Sequence, residues 1–464
     1  MNNVTIIILG ATGDLARKKI IPALYRLIHA KKLQNYLIIG VGRESTNAQE
    51  LLDSVRASNA ITDIESWQSL VDHFVYQKAD LTNSADMQAL SAYVSSHEKS
   101  NKLIGNRIIY CALAASLYCI ATEHCAKSGL AKRTDKYDKF WHRIVYEKPF
   151  GNDLASAQMI NQCIANNFNE HQIYRIDHYL LKEFVSNIAL VRFTNIVFEP
   201  LWNNRYISSV QIILSETIGI GTRGAYYDAY GAVNDVMQNH MLEIMALIAM
   251  EAPEKLTGEY IRNERAKVLS AVKVIDALYG QYENYQQEPY VKPNSMTETF
   301  AITLMRINNP RWAGVPFVLK TGKYLNKKET SIQIKFKNVE CLLARNCPSE
   351  PNYLTITISP ESIMTLTLNV KKPGLSTDVM PVPMEFSHTK LLGATTPEAY
   401  EILFEEIIRG EESVSVRFDE IEQLWRIVDQ MRTLHPRVHQ YQKGTEGPPE
   451  VHDWTRKHGI RIKT

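Results

Sequence analysis

No stretch of this 464-residue chain runs for eighteen residues without a charge, which excludes a membrane-spanning helix of ordinary length. Excess charge of either sign is also missing. Lys plus Arg is 52 against 50 for Asp plus Glu, a net charge of +2. Nucleic acid or a membrane surface held by bulk electrostatics is therefore not expected as a partner, and any attraction for anions must be local. The six cysteines (Cys111, Cys119, Cys125, Cys163, Cys341 and Cys347) form no Cys-x-x-Cys pair and no Cys/His group of zinc spacing. Scattered thiols fit a reducing compartment, and the N-terminus lacks the basic region of a signal peptide, so a cytoplasmic protein is expected. There is no low-complexity tract and no repeat of solenoid period. What is present is the 45% hydrophobic, 22% charged composition of a globular chain, long enough for two or three domains.

The first third alternates strands with helices. Val4–Leu9 is a short β-branched run suited to a strand buried on both faces. Gly10-Ala11-Thr12-Gly13-Asp14-Leu15-Ala16 follows at once, and then an amphipathic stretch to Leu27. Strand, glycine turn and helix form the context of a phosphate-binding loop. Gly10 permits the turn, Gly13 admits a pyrophosphate and Ala16 allows close helix packing. The spacing is Gly-x-x-Gly-x-x-Ala, by itself as compatible with a structural turn. The next strand, Tyr36–Val41, runs into Gly42-Arg43-Glu44. An Arg at this place accommodates a 2′-phosphate and points to NADP; Glu44 beside it would suit the ribose hydroxyl of NAD. Further strands are expected at Phe74–Tyr76, Arg107–Leu113 and Arg143–Tyr146, giving a parallel, Rossmann-type α/β domain over 1–176. The last strand enters Glu147-Lys148-Pro149-Phe150-Gly151, which would hold Lys148 at the carboxyl edge of the sheet.

Beyond it the pattern changes. Ile332–Phe336, Leu354–Ile358 and Met364–Val370 alternate strictly, as half-buried strands do, and Ser208–Leu214, Phe300–Ile307 and Val315–Leu319 are further strand candidates. Helices are expected at Val233–Met250 and Tyr260–Leu278, and loops at 281–297 and 371–390. Residues 177–464 thus read as an α+β domain with a large, mainly antiparallel sheet and helices on one face.

Two segments concentrate chemistry. Arg175–Glu183 (Arg-Ile-Asp-His-Tyr-Leu-Leu-Lys-Glu) brings a carboxylate, an imidazole, a phenol and an ammonium together. On a helix His178 and Lys182, four apart, would share a face, with Asp177 at the helix start; a phosphate between two cations explains the set, and so does a solvated, capped helix. On the helix from Asn234 to Glu243, Val236, Met237, Met241 and Ile244 form the apolar face, with His240 beside it. Taken alone His240 reads as a satisfied structural histidine.

Taken together these segments resemble the glucose-6-phosphate dehydrogenase family over nearly the whole chain. The family's glycine loop matches Gly10–Ala16, its Glu-Lys-Pro-Phe-Gly stands at Glu147–Gly151, its nonapeptide at Arg175–Glu183, its Phe-Glu-Pro-Leu-Trp-Asn at Phe198–Asn203 and its Asp-x-x-Gln-Asn-His at Asp235–His240. Thr297–Phe300, Arg311-Trp312, Gly314–Phe317, Thr321–Lys323 and Ala399–Glu401 are similar too. The resemblance implies oxidation of β-D-glucose 6-phosphate at carbon 1 to 6-phosphogluconolactone, the first step of the oxidative pentose phosphate pathway, with NADP (NAD being possible) and no metal. It implies His240 as general base and Asp177 as its orienting carboxylate. His178, Tyr179 and Lys182 would bind the 6-phosphate, with Lys148, Glu216, Asp235, Lys323 and Lys328 holding the sugar and its phosphate. Gly10, Gly13, Asp14, Leu15, Arg43 and Lys148 would contact the coenzyme. A homodimer or homotetramer paired through the large sheet is implied as well. The chain departs from the family at Leu181, where Gly is usual, at Asn234, where Arg is usual, and at Ala114-Ala115, where two prolines are usual; loss of the prolines is expected to loosen that loop.

Overall fold

The computed structural model describes residues 3–59, 61–338, 350–374, 379–387 and 397–462, and the chain forms two compact units. The first comprises Met1–Leu181, Glu254–Arg262 and Pro397–Glu422; the second comprises Lys182–Pro253, Asn263–Thr396 and Gln423–Thr464. The sequence pattern suggested one boundary at 176/177, whereas two later segments join the first unit.

Six strands build the first unit's sheet: β1 Asn3–Leu9, β2 Asn35–Gly42, β3 Phe74–Lys78, β4 Arg107–Cys111, β5 His142–Glu147 and β6 Ile173–Ile176. They lie in the order β3-β2-β1-β4-β5-β6 and every pairing is parallel. Alternate residues of β1 face opposite cores. Val4, Ile6 and Ile8 join one apolar cluster, Ile7 and Leu9 the other, so the uninterrupted apolar run follows from burial on both sides. Strand β6 was not expected, because its four residues are too few to show a period. Its outer edge is covered: Ile176 pairs with Ser415, the Val416 N–H donates to Arg175 O (3.0 Å), and the Arg175 N–H donates to Ser415 Oγ (3.0 Å). Segment 397–422 is held there also by the helix Ala399–Arg409, whose Leu403, Phe404 and Ile407 are fully buried in the core, each stabilising by about 1.5–3 kcal/mol.

The second unit carries a nine-stranded sheet: β7 Ile207–Ser215, β8 Val272–Tyr282, β9 Phe300–Ile307, β10 Phe317–Gly322, β11 Glu329–Phe336, β12 Tyr353–Ser359, β13 Ile363–Lys371, β14 Val379–Phe386 and β15 Val438–Tyr441. Its order is β14-β13-β12-β11-β7-β10-β9-β8-β15, antiparallel except where β10 meets β7 and β15 meets β8. The large, mainly antiparallel sheet is thus as expected, with two corrections. The helix expected to run to Leu278 stops at Ser270, and Val272 onward is strand, because alternating β-branched residues there find a partner in β9. The loop expected over 371–390 contains β14, whose Pro381 and Pro383 are tolerated because the strand lies at the sheet edge; residues 375–378 and 388–390 fall outside the described part. Among the described residues no helix is long and apolar enough to cross a membrane.

Candidate active site

In the first unit the chain leaves β1 through Gly10, whose φ is +88°. Only glycine adopts this freely, and a Cβ here would overlap the Ala112 carbonyl. The Gly10 and Ala11 N–H groups both donate to Val41 O (2.9 Å each), binding the loop to the end of β2, and the Gly13 N–H closes the turn on Gly10 O (3.0 Å). Ala16 is fully buried, as close helix packing requires, while Gly13 and Asp14 are exposed and Leu15 packs at the core margin. The expected helix to Leu27 begins instead as a wider π turn over Ala16–Ile20 and continues as an α-helix over Ile21–His29. The loop therefore fits a dinucleotide: a tight glycine turn, backbone open to approach and the positive end of a helix dipole behind it.

Arg43 stands exposed one residue past β2. Glu44 is engaged elsewhere, 3.9 Å from Arg17 Nη2 and with its carbonyl accepting from the Tyr76 phenol (2.9 Å). Arg17 belongs to the Arg17-Lys18-Lys19 run directly after the glycine loop. Ala114 takes φ −66° and ψ 143°, a proline-like conformation, and the loop closes through Leu117 N–H on Ala114 O (2.9 Å). Alanine thus takes up the backbone shape that a proline would impose.

Glu147 ends β5 and is buried. The phenols of Tyr110 and Tyr400 both donate to its Oε1, and the Tyr118 phenol donates to its carbonyl (2.6 Å). Burial holds this carboxyl above the usual carboxylate range, against the lowering by the two phenols and by Lys148. Lys148 follows, joined to Pro149 by a cis peptide bond.

Residues 177–182 are not helical. Asp177 leaves β6 into a turn: its Oδ1 accepts the Tyr179 N–H (2.8 Å) and its carbonyl the Leu180 N–H (3.1 Å). The helix starts only at Glu183, so His178 and Lys182 do not share a helical face as the four-residue spacing suggested. An aspartate that binds its own backbone two residues on makes a turn cheaper than a helix. His178 and Tyr179 are half-buried with ring centroids 5.1 Å apart. Arg175 is spent structurally, paired with Glu170 (2.6 Å) and bonded to Asn161 (2.8 Å). Leu181, 1% exposed, lies in the apolar core of this unit.

In the second unit Asp235 and His240 ride on Val233–Met241, wound entirely as a π-helix before an α-helix takes over at Leu242–Ala249. Asn239 splices the wide turns: its Nδ2 donates to the carbonyls of Asn234 (3.1 Å) and Asp235 (3.2 Å), and its Oδ1 accepts the His240 N–H (2.7 Å). Sites of this winding are often functional. Met237, Met241 and Ile244 are fully buried, as the apolar stripe predicted, and His240 is only 2% exposed. The Tyr226 phenol (3.3 Å) and the Arg223 guanidinium (3.7 Å) hold Asp235; neither was anticipated. Lys323, at the end of β10, is buried and paired with Glu216, its ammonium 5.5 Å from the Tyr227 ring centroid. Lys182 is the N-cap just before the helix that starts at Glu183, and Lys328 is exposed between β10 and β11. Asn234, in place of the usual Arg, accepts a hydrogen bond from Arg432 (3.4 Å).

The strand order 3-2-1-4-5-6 with a glycine turn at the carboxyl end of β1 defines a Rossmann-type dinucleotide-binding unit. The sequence matches the NAD binding domain of glucose-6-phosphate dehydrogenase over residues 7–187 and its C-terminal domain over 189–463. It is 37% identical to glucose-6-phosphate 1-dehydrogenase of Bacillus subtilis over 482 residues (98% of this chain, 97% of the other) and 38% identical to cytoplasmic glucose-6-phosphate 1-dehydrogenase 5 of Arabidopsis thaliana (98% and 92%). A solved structure of a glucose-6-phosphate dehydrogenase in complex with its substrate glucose-6-phosphate is 31% identical and superposes with a TM-score of 0.91 over 100% of this chain and 99% of that one. The enzyme from Mycobacterium avium, 32% identical, gives 0.86 over 100% and 99%. The chain belongs to the glucose-6-phosphate dehydrogenase family.

Proposed function

We propose that this chain oxidises β-D-glucose 6-phosphate at carbon 1, with NADP preferred over NAD. The observation that carries the reading is the wide helix on which Asp235 and His240 are both buried, spliced by Asn239, in a chain of this family. His240 takes the proton of the 1-hydroxyl, a general-base step that contributes about 10²–10⁴-fold. The electron pair of the C1–H bond leaves as hydride, the C1–O bond becomes a carbonyl and the product is the 6-phosphogluconolactone. The bound coenzyme supplies the hydride acceptor, its nicotinamide, so no metal is required. Asp177 orients His240 and stabilises the imidazolium. His178, Tyr179 and Lys182 take the 6-phosphate, and Lys148, Glu216, Asp235, Lys323 and Lys328 hold the sugar and its phosphate. Gly10, Gly13, Asp14, Leu15 and Lys148 line the coenzyme, and Arg43 selects the 2′-phosphate. A cytoplasmic homodimer or homotetramer paired through the large sheet completes the reading, which the resemblance to the family supports.

NADPH formation from glucose 6-phosphate, followed at steady state in the purified protein and its His240→Asn variant, tests it. The variant should lose kcat by at least about 10²-fold while glucose 6-phosphate still binds, because the lost interaction is made in the transition state. A folded parent protein that turns over neither coenzyme sinks the reading; an active His240→Asn variant removes the base assignment alone.

A further inference from the structure

The helix that carries Asp235 and His240 starts from a glycine with a reason to be one. Gly231 sits at φ +66° and ψ 178°, a backbone state open in practice to glycine alone. A Cβ at this position would overlap the side chain of Glu298, which occupies that space. The Glu298 carboxylate lies beneath the first helical turn and its Oε1 accepts the Val233 N–H at 3.0 Å. Its carbonyl accepts the Ala232 N–H at 2.9 Å, so side chain and backbone of one residue hold successive amides at the helix start. On the other side of Glu298 the chain continues into Thr299, whose carbonyl accepts the Lys323 N–H (2.9 Å) and whose own N–H donates to Gly280 (2.7 Å). One short segment therefore ties the Asp235–His240 helix to Lys323, just past the end of β10. The groups that face this carboxyl are Arg432, Tyr227, Tyr279 and Tyr285. Desolvation pushes the carboxyl up to about 7, with the Val233 N–H and Arg432 opposing.

We propose that Glu298 is a positioning residue for proton transfer: packed into the space left by Gly231, it fixes the first turn of the π-helix through the Val233 N–H and so sets the places of Asp235 and His240. This rests on the reading of His240 as the base. The bond needs an acceptor and not a charge, since an amide oxygen fits the same N–H. A neutral acceptor of the same shape should therefore serve, and an apolar stub should not.

Glu298→Gln and Glu298→Ala, assayed with glucose 6-phosphate and NADP beside amide exchange of the 233–241 peptides, test the proposal. Glu298→Ala should lower kcat at least tenfold, leave the KM for NADP within twofold and speed exchange over 233–241 at least tenfold. Glu298→Gln should stay within threefold of the parent protein in both readouts. A Glu298→Ala variant with parental kcat and exchange overturns the proposal. So does a Glu298→Gln variant that loses tenfold or more, and that arm decides alone if Glu298→Ala does not fold. The exchange readout needs no turnover. An inactive parent protein would thus remove the proposed function, while the exchange arm still judges the helix anchor.

Discussion

The phenol of Tyr110 donates to the buried Oε1 of Glu147 across 2.5 Å, on the strand end that leads into Lys148. Tyr400 reaches the same oxygen from 3.0 Å. Glu147 is held above the usual carboxylate range because burial outweighs these two bonds. A carboxyl raised on folding binds protons more readily in the native state, so its contribution is present below its unfolded pKa and is lost as pH rises through the folded one. Tyr110→Phe removes a bond to the charged form and deepens that loss. The variant should be about 1.5–3 kcal/mol less stable than the parent at pH 8, with the difference shrinking toward pH 4. Urea unfolding at the two pH values measures both.

The opposite sign belongs to His142. It is buried at the start of β5, its Nδ1 2.7 Å from the Lys132 N–H and its Nε2 3.2 Å from Gly105 O. An imidazole that accepts on one nitrogen and donates on the other is neutral, and burial together with Arg107 pushes its pKa down to about 3. The unfolded chain binds a proton below about 6.5, the folded protein only near 3, so stability falls as pH drops through that window. At pH 4 the loss from this residue should approach about 3 kcal/mol. His142→Asn, which keeps an acceptor without titrating, should flatten the acid limb of melting temperature against pH. An unchanged limb would show that other groups set it.

Strands with a strict period or an unbroken β-branched run, such as Val4–Leu9 and Leu354–Ile358, were legible because their pattern follows directly from which faces are buried. The four residues of β6 and the four of β15 carry no period, and they exist because a neighbouring edge offers hydrogen bonds. At the candidate site, local conformation was not legible. The spacing of His178 and Lys182 permits a helix, but the Asp177 side chain captures the Tyr179 N–H and makes a turn. The π winding of Val233–Met241 leaves no mark in hydrophobic periodicity, and the one visible clue is Asn239, an amide able to bridge its open carbonyls. Partners from distant sequence, such as Tyr226 for Asp235 or Glu298 for Val233, need the fold to be seen.

In the proposed function Arg43 is the residue that selects the coenzyme. It is exposed beyond β2, while Glu44 beside it lies 3.9 Å from Arg17 and gives its carbonyl to Tyr76, so the acid that would suit the NAD ribose has another partner. Charge-assisted bonds of about 1.5–3 kcal/mol correspond to a roughly 10–150-fold change. Arg43→Ala should lower kcat/KM for NADP by that factor and leave kcat/KM for NAD within threefold. Equal losses with both coenzymes would move the 2′-phosphate contact elsewhere, Arg17 in the turn after the glycine loop being the alternative nearest that loop in sequence.

Leu181 interrupts the family's usual glycine, and its position decides what the change means. The side chain is 1% exposed and belongs to the same apolar cluster as Ile176, Leu403 and Phe404. Close-packed interiors tolerate such a volume only when neighbours are fitted to it, so this leucine is a core residue that anchors the chain just after the Asp177 turn. Restoring glycine opens a cavity and adds backbone freedom. Leu181→Gly should therefore cost about 3–5 kcal/mol in urea unfolding, and Leu181→Met under about 1.5 kcal/mol. If the substitution acted instead by displacing the residues proposed to bind the phosphate, Leu181→Gly would raise affinity for glucose 6-phosphate with stability unchanged. A KM that holds steady beside a large fall in stability assigns Leu181 to the core.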